Sequence, residues 1–159
     1  MSLSLGKWDY EVLAMPLTEI PEASAETMTF LADTLPYLTT SGGNFTLVYA
    51  SRTEIQDLNR AHRDLDTPTD VLSFPPGDQP PADMNEAANY LGDIVVCYEI
   101  VSENSDSADI DPALELRHVV LHGVLHLLGY SHGSEEEADI MRLVEEKWLG
   151  SGIHGDLSK

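Results

Sequence analysis

The sequence predicts an α/β (α+β) fold in which a single mixed four-stranded sheet packs against helices. Three observations support this prediction: four short segments rich in β-forming residues, helical patterns that alternate with them, and a length of 159 residues, which suits one hydrophobic core. We therefore expect one domain over residues 1–159, with a frayed tail at residues 150–159.

The N-terminal two thirds of the chain contains the predicted strands. They cover residues 10–15, 44–50, 71–74 and 94–98, where apolar and β-branched residues concentrate. Helices are predicted at residues 21–38 and 53–62, and Pro36 must bend or end the first of them. Residues 75–90 are dense in Pro, Asp and Asn, so they are predicted to form an exposed loop.

The C-terminal half predicts two further helices. Pro112 suits the first turn of a helix over residues 112–128, and Gly129 can end it in the left-handed conformation. Ser134 and Glu137 form an S-x-x-E capping pattern for a second helix that runs through Trp148. The first of these two helices carries the residues that predict chemistry.

The charge balance is strongly acidic. Twenty-eight acidic against eight basic residues give a net charge of -20, the opposite of the basic surface expected of general nucleic-acid binding. However, Arg52, Arg60 and Arg63 are three of the eight cations and fall within twelve residues. Because exposed charges are screened over about 8 Å, a local cationic patch stays open as an interpretation.

The sequence favours a soluble cytoplasmic protein. Charged residues at positions 7, 9 and 11 interrupt the start where a secretory signal needs an apolar stretch. The longest apolar segment, residues 119–130, is too short to cross a bilayer and contains two histidines. Cys97 is the single cysteine, which fits a reducing compartment and a small buried side chain. No membrane partner is expected.

Three histidines predict a metal site in the segment HGVLHLLGYSH, residues 122–132. His122 and His126 are four residues apart, so they share one helix face. Gly129 can release the chain from the helix, and the following turn can return His132 toward the same ion. Three imidazoles leave the fourth tetrahedral position of zinc for water, which is typical of a catalytic site. We predict one Zn²⁺ per chain and a hydrolytic reaction.

This segment also has other interpretations. One alternative is that these histidines are partly buried helix residues with no ligand role, as is usual for isolated histidines. Three of them at this spacing favour a metal. His118, one turn before His122, is expected to support or pack against the ligands rather than to bind the ion. The spacing also fits a metzincin-like peptidase, but Gly123 stands where those enzymes have their glutamate base. The peptidase is therefore the weaker alternative, and a phosphodiester is the favoured substrate.

Two motifs resemble one known family. HGVLHLLGYSH is similar to the signature H-G-x-L-H-L-x-G-Y-D-H of the YbeY family of bacterial endoribonucleases. LNRAHRDLDTPTDVLSFP, from position 58, is similar to that family's L-N-x-x-Y-R-x-K-D-x-P-T-D-V-L-S-F-P. LGDIVV, from position 91, matches a third motif, and the resemblance covers about residues 45–149 in the family's order.

The resemblance implies a function that composition does not. It implies a zinc-dependent, single-strand-specific endoribonuclease of the cytoplasm, acting in 3′ maturation of 16S ribosomal RNA and in ribosome quality control. The implied partners are single-stranded RNA, ribosomal RNA and the small ribosomal subunit, and no DNA partner is expected. By position, His122, His126 and His132 are the implied zinc ligands, and Arg63 matches the arginine associated with ribonuclease activity.

Three departures from the family pattern bear on catalysis. Ser131 replaces the signature aspartate, His62 a tyrosine, and Leu65 a lysine. The first change removes a carboxylate beside the metal, and the third removes a cation that could contact phosphate. A metal-stabilised ribosome-assembly factor that binds without cleaving is therefore the alternative function.

Two further residues are candidates for the cleft. A guanidinium at Arg63 near the zinc could clamp a phosphate and stabilise charge in the transition state. The simpler interpretation is a surface arginine paired with Asp64 or Asp66. Ser73, at a strand end, either lines the same cleft or bonds to solvent or backbone.

Overall fold

The computed structural model describes residues 2–5, 8–38, 42–76, 90–150 and 152–153. Within these ranges the strands are β1 (Ser2–Leu5), β2 (Trp8–Ala14), β3 (Gly43–Tyr49), β4 (Val71–Phe74) and β5 (Tyr90–Val96). The helices are α1 (Ser24–Leu38), α2 (Arg52–Arg63), α3 (Tyr98–Ala108), α4 (Pro112–Leu127) and α5 (Glu135–Leu149). Most of the predicted loop at residues 75–90, and most of the predicted frayed tail, lie outside the described residues.

One mixed sheet forms the centre of the molecule, so the predicted fold class is confirmed. Its strand order is β1-β2-β3-β5-β4. The inner pairs β2/β3 and β3/β5 are parallel, and the edge pairs β1/β2 and β4/β5 are antiparallel. The described sheet has one strand more than the four predicted, because β1 pairs along the outer edge of β2. Its sequence, SLSL, has no β-branched or aromatic residue to indicate a strand.

The helices follow the prediction with two differences. Pro36 lies inside α1, which continues to Leu38. Helix α3 was not predicted: the fourth strand was expected to reach residue 98, but β5 ends at Val96 and α3 begins at Tyr98. The α3 sequence YEIVSENSDSA is rich in Ser, Asp and Asn, which have weak helix propensity, so tertiary packing decides its conformation.

Helices cover both faces of the sheet. On one face, side chains of α1, α3 and α4 pack with β2, β3 and β5 around buried residues such as Leu31, Leu47 and Val120. On the other face, α2 packs through Ile55 against a smaller cluster that includes Leu72. Helix α5 packs on α4 in a third cluster. Successive side chains of β5 point to opposite faces of the sheet, and both faces are covered by helices. The apolar run in β5 is therefore continuous.

None of the helices in the described part of the chain is long and apolar enough to cross a bilayer.

Candidate metal centre and cleft

The three predicted histidines come together at the C-terminal end of α4. The Nε2 atoms of His122 and His126 lie 3.0 Å apart. The ring of His132 lies 5.7 Å from that of His122 and 4.8 Å from that of His126, measured between centroids. One nitrogen from each ring falls within 4.8 Å of the others, and the first two rings are half-buried while the third is exposed.

A glycine at the end of α4 makes this convergence feasible. Gly129 has a φ of +99°, a conformation that side-chain-bearing residues rarely adopt. The N–H of Tyr130 donates to the carbonyl of Leu125 at 2.9 Å, which closes the end of the helix. The chain then turns back, so that His132 reaches the face of α4 that carries the other two histidines.

Hydrogen bonds fix the tautomers of the two helical histidines. Nδ1–H of His126 donates to the Tyr130 carbonyl oxygen at 3.0 Å, because a carbonyl only accepts. Nδ1–H of His122 donates to a carboxylate oxygen of Glu145 at 2.6 Å. Both Nε2 atoms therefore present lone pairs toward the same point, which is the protonation state that a metal ligand needs.

The donor set fits zinc. Two nitrogens held at about 2.0–2.1 Å from a tetrahedral zinc ion lie roughly 3.3 Å apart. The 3.0 Å between the Nε2 atoms of His122 and His126 is close to that separation. Facing lone pairs repel each other unless a cation lies between them, and three neutral imidazoles suit zinc better than magnesium or calcium.

The electrostatics of His126 agree with a ligand role. Burial lowers the pKa of His126 below its ordinary value, and the neighbouring His122 lowers it further. The imidazole is therefore neutral at physiological pH. A neutral ring binds a metal without first losing a proton.

Glu145 contacts this histidine cluster, although the sequence did not indicate it. It lies on α5 with 3% of its side chain exposed, and its other carboxylate oxygen is 3.1 Å from Nε2 of His118. Burial tends to raise the pKa of Glu145, but hydrogen bonds from His118 and His122 outweigh it and hold the pKa well below its usual range. The carboxylate is thus charged. The hydrogen bonds of Glu145 join α5 to α4. Because the partners are far apart along the chain, no local sequence pattern indicates them.

His118 occupies the far side of this carboxylate. Burial tends to lower its pKa, but the carboxylates of Glu115 and Glu145 outweigh burial and raise the pKa to about 9. Its Nδ1 lies 3.6 Å from a Glu115 oxygen. His118 therefore supports Glu145, and its ring centroid lies 6.4 Å from that of His122. That His118 is not a metal ligand stays a prediction.

Gly123 lies where the helix meets the sheet. A Cβ at this position would be 2.8 Å from Cγ2 of Ile94 and 3.2 Å from Oγ of Ser73. A glutamate side chain would need still more room than a Cβ. The close packing of α4 on β5 thus disfavours a side chain at the position where a metzincin-like peptidase has its glutamate base, because Ile94 and Ser73 would have to shift.

Arg63 and Ser73 share a cleft with the three histidines. The cleft has a volume of about 450 Å³, and its lining also includes Asp70. A guanidinium nitrogen of Arg63 donates to the Ser73 carbonyl oxygen at 2.8 Å, and its central carbon lies 5.9 Å from the centre of the Phe74 ring. The Ser73 hydroxyl donates to the Gly123 carbonyl oxygen at 3.3 Å, which joins β4 to α4.

The end of α2 places Arg63 at this cleft. Asp64 follows with a φ of 57°, and its N–H donates to the Asn59 carbonyl. The buried Asn59 side chain donates to the carbonyl of Thr67 at 2.9 Å. These bonds hold the turn between α2 and β4 in place, which explains the asparagine of the second motif.

The arginines do not form the local cationic patch that the sequence left open. Arg52 pairs with Glu103, and Arg60 pairs with Asp57 and Asp66. Arg117 and Arg142 also have carboxylate partners.

Arg63 differs from the other four arginines. All five lie in the described part of the chain, and Arg63 is the one without a carboxylate partner there. The alternative pairing of Arg63 with Asp64 or Asp66 does not occur.

The positions that depart from the family pattern are at the surface. Leu65 is 57% exposed and lies two residues after Arg63, beyond the end of α2. His62 packs edge-on against the Phe74 ring at 5.1 Å between centroids, so an aromatic ring is retained there. Ser131 is exposed, and its hydroxyl accepts a hydrogen bond from the Gly133 N–H at 3.1 Å.

A family model described as Endoribonuclease YbeY matches residues 12–151. The chain belongs to this family. Similar relatives named Endoribonuclease YbeY include those of Treponema denticola, 34% identical over 74% of this chain and 76% of the relative, and Idiomarina loihiensis, 35% identical over 90% and 85%. The solution structure of TM1509 from Thermotoga maritima matches with a TM-score of 0.58 and 26% identity over 94% of this chain and 99% of that one. The resemblance inferred from the motifs is confirmed.

Proposed function

We propose that this protein is a zinc-dependent endoribonuclease that cleaves single-stranded RNA in the cleft between His122, His126, His132 and Arg63. Membership of the YbeY family supports metal-dependent endoribonuclease activity. One observation carries the finer proposal: an arginine without a carboxylate partner among the described residues lies in the same cleft as three histidines whose nitrogens converge. A cationic donor beside a metal site is the arrangement that phosphodiester chemistry needs.

Each residue of the cleft has a distinct task. Zinc, when bound by the three histidines, supplies Lewis-acid polarisation and activates water near neutral pH. Arg63 presents a guanidinium to the phosphate oxygens, orients the group and offsets the charge that grows in the transition state. Its hydrogen bond to the Ser73 carbonyl and its place over Phe74 limit its rotation. Less reorganisation is then needed when substrate binds.

The acidic surface suits a substrate that is bound within the cleft and not across a broad surface. Four of the five arginines are neutralised by carboxylates, so the described surface offers little long-range attraction for RNA. A single strand can bend its backbone into a narrow cleft, whereas a duplex needs a broad cationic surface. The preference for single strands follows from this difference.

The resemblance extends the proposal to a cellular role. We propose that the substrate is the 3′ end of 16S ribosomal RNA, that the protein acts with the small ribosomal subunit in maturation and quality control, and that it works in the cytoplasm. Two motifs shared with the family support this assignment. The second motif contains Arg63, and the third forms most of β5.

A second function has support from two positions. Ser131 lacks the carboxylate of the family signature, and Leu65 places an exposed apolar side chain where the family has a cation. These changes weaken catalysis more than metal binding. A metal-stabilised assembly factor that binds the small subunit without cleaving RNA is therefore the alternative.

The experiment that separates these functions uses purified protein loaded with zinc. Cleavage of a defined single-stranded RNA is compared with cleavage of the same sequence in a duplex and of a casein substrate, before and after chelation. The proposal predicts internal cleavage of the single strand alone, lost on chelation and restored by zinc. Intact RNA together with co-sedimentation with small subunits would support the assembly factor, and casein cleavage would support a peptidase.

A further inference from the structure

A buried carboxylate joins α5 to the metal centre. Glu145 is 3% exposed, and its two oxygens contact Nδ1 of His122 at 2.6 Å and Nε2 of His118 at 3.1 Å. An isolated carboxylate is costly to bury, so one that is retained in a core is held by specific partners. Here the partners are a predicted metal ligand and the histidine behind it.

We infer that Glu145 is a positioning residue, which holds His122 in the orientation and tautomer that bind the metal. The inference rests on the proposed zinc site and adds a residue that lies outside the three motifs matched in this chain. A carboxylate can only accept from Nδ1–H, so it keeps the proton on Nδ1 and the lone pair on Nε2. His118 holds the second oxygen, which prevents the carboxylate from turning away from His122.

The arrangement makes the ligand more basic as well as better oriented. A carboxylate behind a metal-bound imidazole strengthens its electron donation, and loss of such a partner commonly weakens metal affinity by about 10–100-fold. His126 has a neutral carbonyl in the same place, that of Tyr130. Of the two helical histidines, His122 is therefore the one with a charged partner.

Through Glu145, α5 also contributes to the metal centre. Val144, on the same helix, packs with Leu121 and Leu125 of α4, so the carboxylate lies beside an apolar contact that fixes the distance between the helices. Because that contact is separate from the hydrogen bond, Glu145 can be changed without removing the packing that holds α5 in place.

Three variants test the role of Glu145. Glu145→Gln keeps the size and one accepting oxygen but loses the charge, Glu145→Leu removes both acceptors, and Glu115→Gln is the control that removes a charge beside His118 without touching His122. Zinc dissociation constants are measured by chelator competition. The tautomer of His122 is measured in metal-free protein by long-range ¹⁵N NMR, which does not depend on activity.

The inference predicts a graded result. Zinc binding weakens by about 10-fold in Glu145→Gln and by about 100-fold in Glu145→Leu, while Glu115→Gln stays within about threefold of wild type. Metal-free wild type shows His122 protonated on Nδ1, and Glu145→Leu shows a mixture of tautomers. Unchanged zinc affinity in Glu145→Gln, or Nε2 protonation of His122 in the wild type, would overturn the inference. Failure of RNA cleavage alone would instead count against the proposed function.

Discussion

At the scale of single residues, the site depends on which nitrogen of each imidazole is free. The Tyr130 carbonyl and the Glu145 carboxylate each take one Nδ1–H, so both Nε2 atoms point inward. The spacing of the histidines in the sequence is enough to predict the cluster, because a helix places positions four apart on one face. It is not enough to predict Glu145, which is 23 residues from His122 along the chain and on another helix.

Removal of His126 tests the ligand assignment. We expect His126→Ala to lose most of its zinc and to melt at a lower temperature, because the ion joins α4 to the turn that follows it. Zinc is counted by elemental analysis, and melting is followed by calorimetry. His62→Ala, which changes a histidine that packs on Phe74, is the control and should keep about one zinc per chain. Full occupancy in His126→Ala would remove that residue from the site.

Ser131 tests the departure from the family signature. Its hydroxyl accepts from the Gly133 N–H, and an aspartate oxygen can accept the same bond. We therefore expect Ser131→Asp to keep the turn and to raise zinc affinity or the rate of RNA cleavage, by returning a carboxylate next to the metal. Chelator competition and a cleavage assay measure the two quantities. If neither changes, this chain has dispensed with the carboxylate.

At the scale of elements, the C-terminal end of α4 shapes the site, because Gly129 ends the helix there and His132 follows it. The Pro at the start, the glycine at the end and the capping serine of α5 were all predictable, because caps are local in sequence. Helix α3 and strand β1 were not, since their sequences have weak local preferences and only the sheet and the core specify them. The left-handed conformation of Gly129 ends α4 and directs the following turn, which carries His132.

Replacement of Gly129 isolates this conformational effect. A Cβ at Gly129 would have no atom within 4 Å, so the cost of Gly129→Ala comes from its φ of +99° alone. We expect the free energy of unfolding to fall by about 1 kcal/mol and zinc binding to weaken, because the turn that carries His132 relaxes. Gly152→Ala also meets no atom within 4 Å and has no left-handed φ, which makes it the matched control. Equal denaturation midpoints for the two variants would contradict this account.

At the scale of the whole molecule, one ion is expected to stabilise three segments together: α4, the turn after it, and α5 through Glu145. Zinc that binds only the folded chain adds about 4 kcal/mol to the free energy of unfolding at a thousandfold excess over its dissociation constant. The acidic surface does not replace this stabilisation, since a net charge of -20 repels itself.

Chelation should therefore destabilise the whole protein. We expect treatment with a strong chelator to lower the melting temperature by several degrees and stoichiometric zinc to restore it, as followed by calorimetry. Magnesium is the control and should not restore it, because three imidazoles are poor ligands for that ion. A melting temperature that is the same with and without zinc would mean that the histidines do not bind the ion in the folded protein.

Arg63 is proposed to act on a phosphodiester held at the histidine cluster. The measurement that tests this role is the cleavage rate of zinc-loaded Arg63→Ala compared with that of Arg60→Ala. Arg60 lies on the same helix and is paired with Asp57 and Asp66. We expect Arg63→Ala to cleave single-stranded RNA about 10²-fold or more slowly, with unchanged zinc content. Arg60→Ala should stay within about threefold of wild type. Equal rates for the two variants would contradict this role.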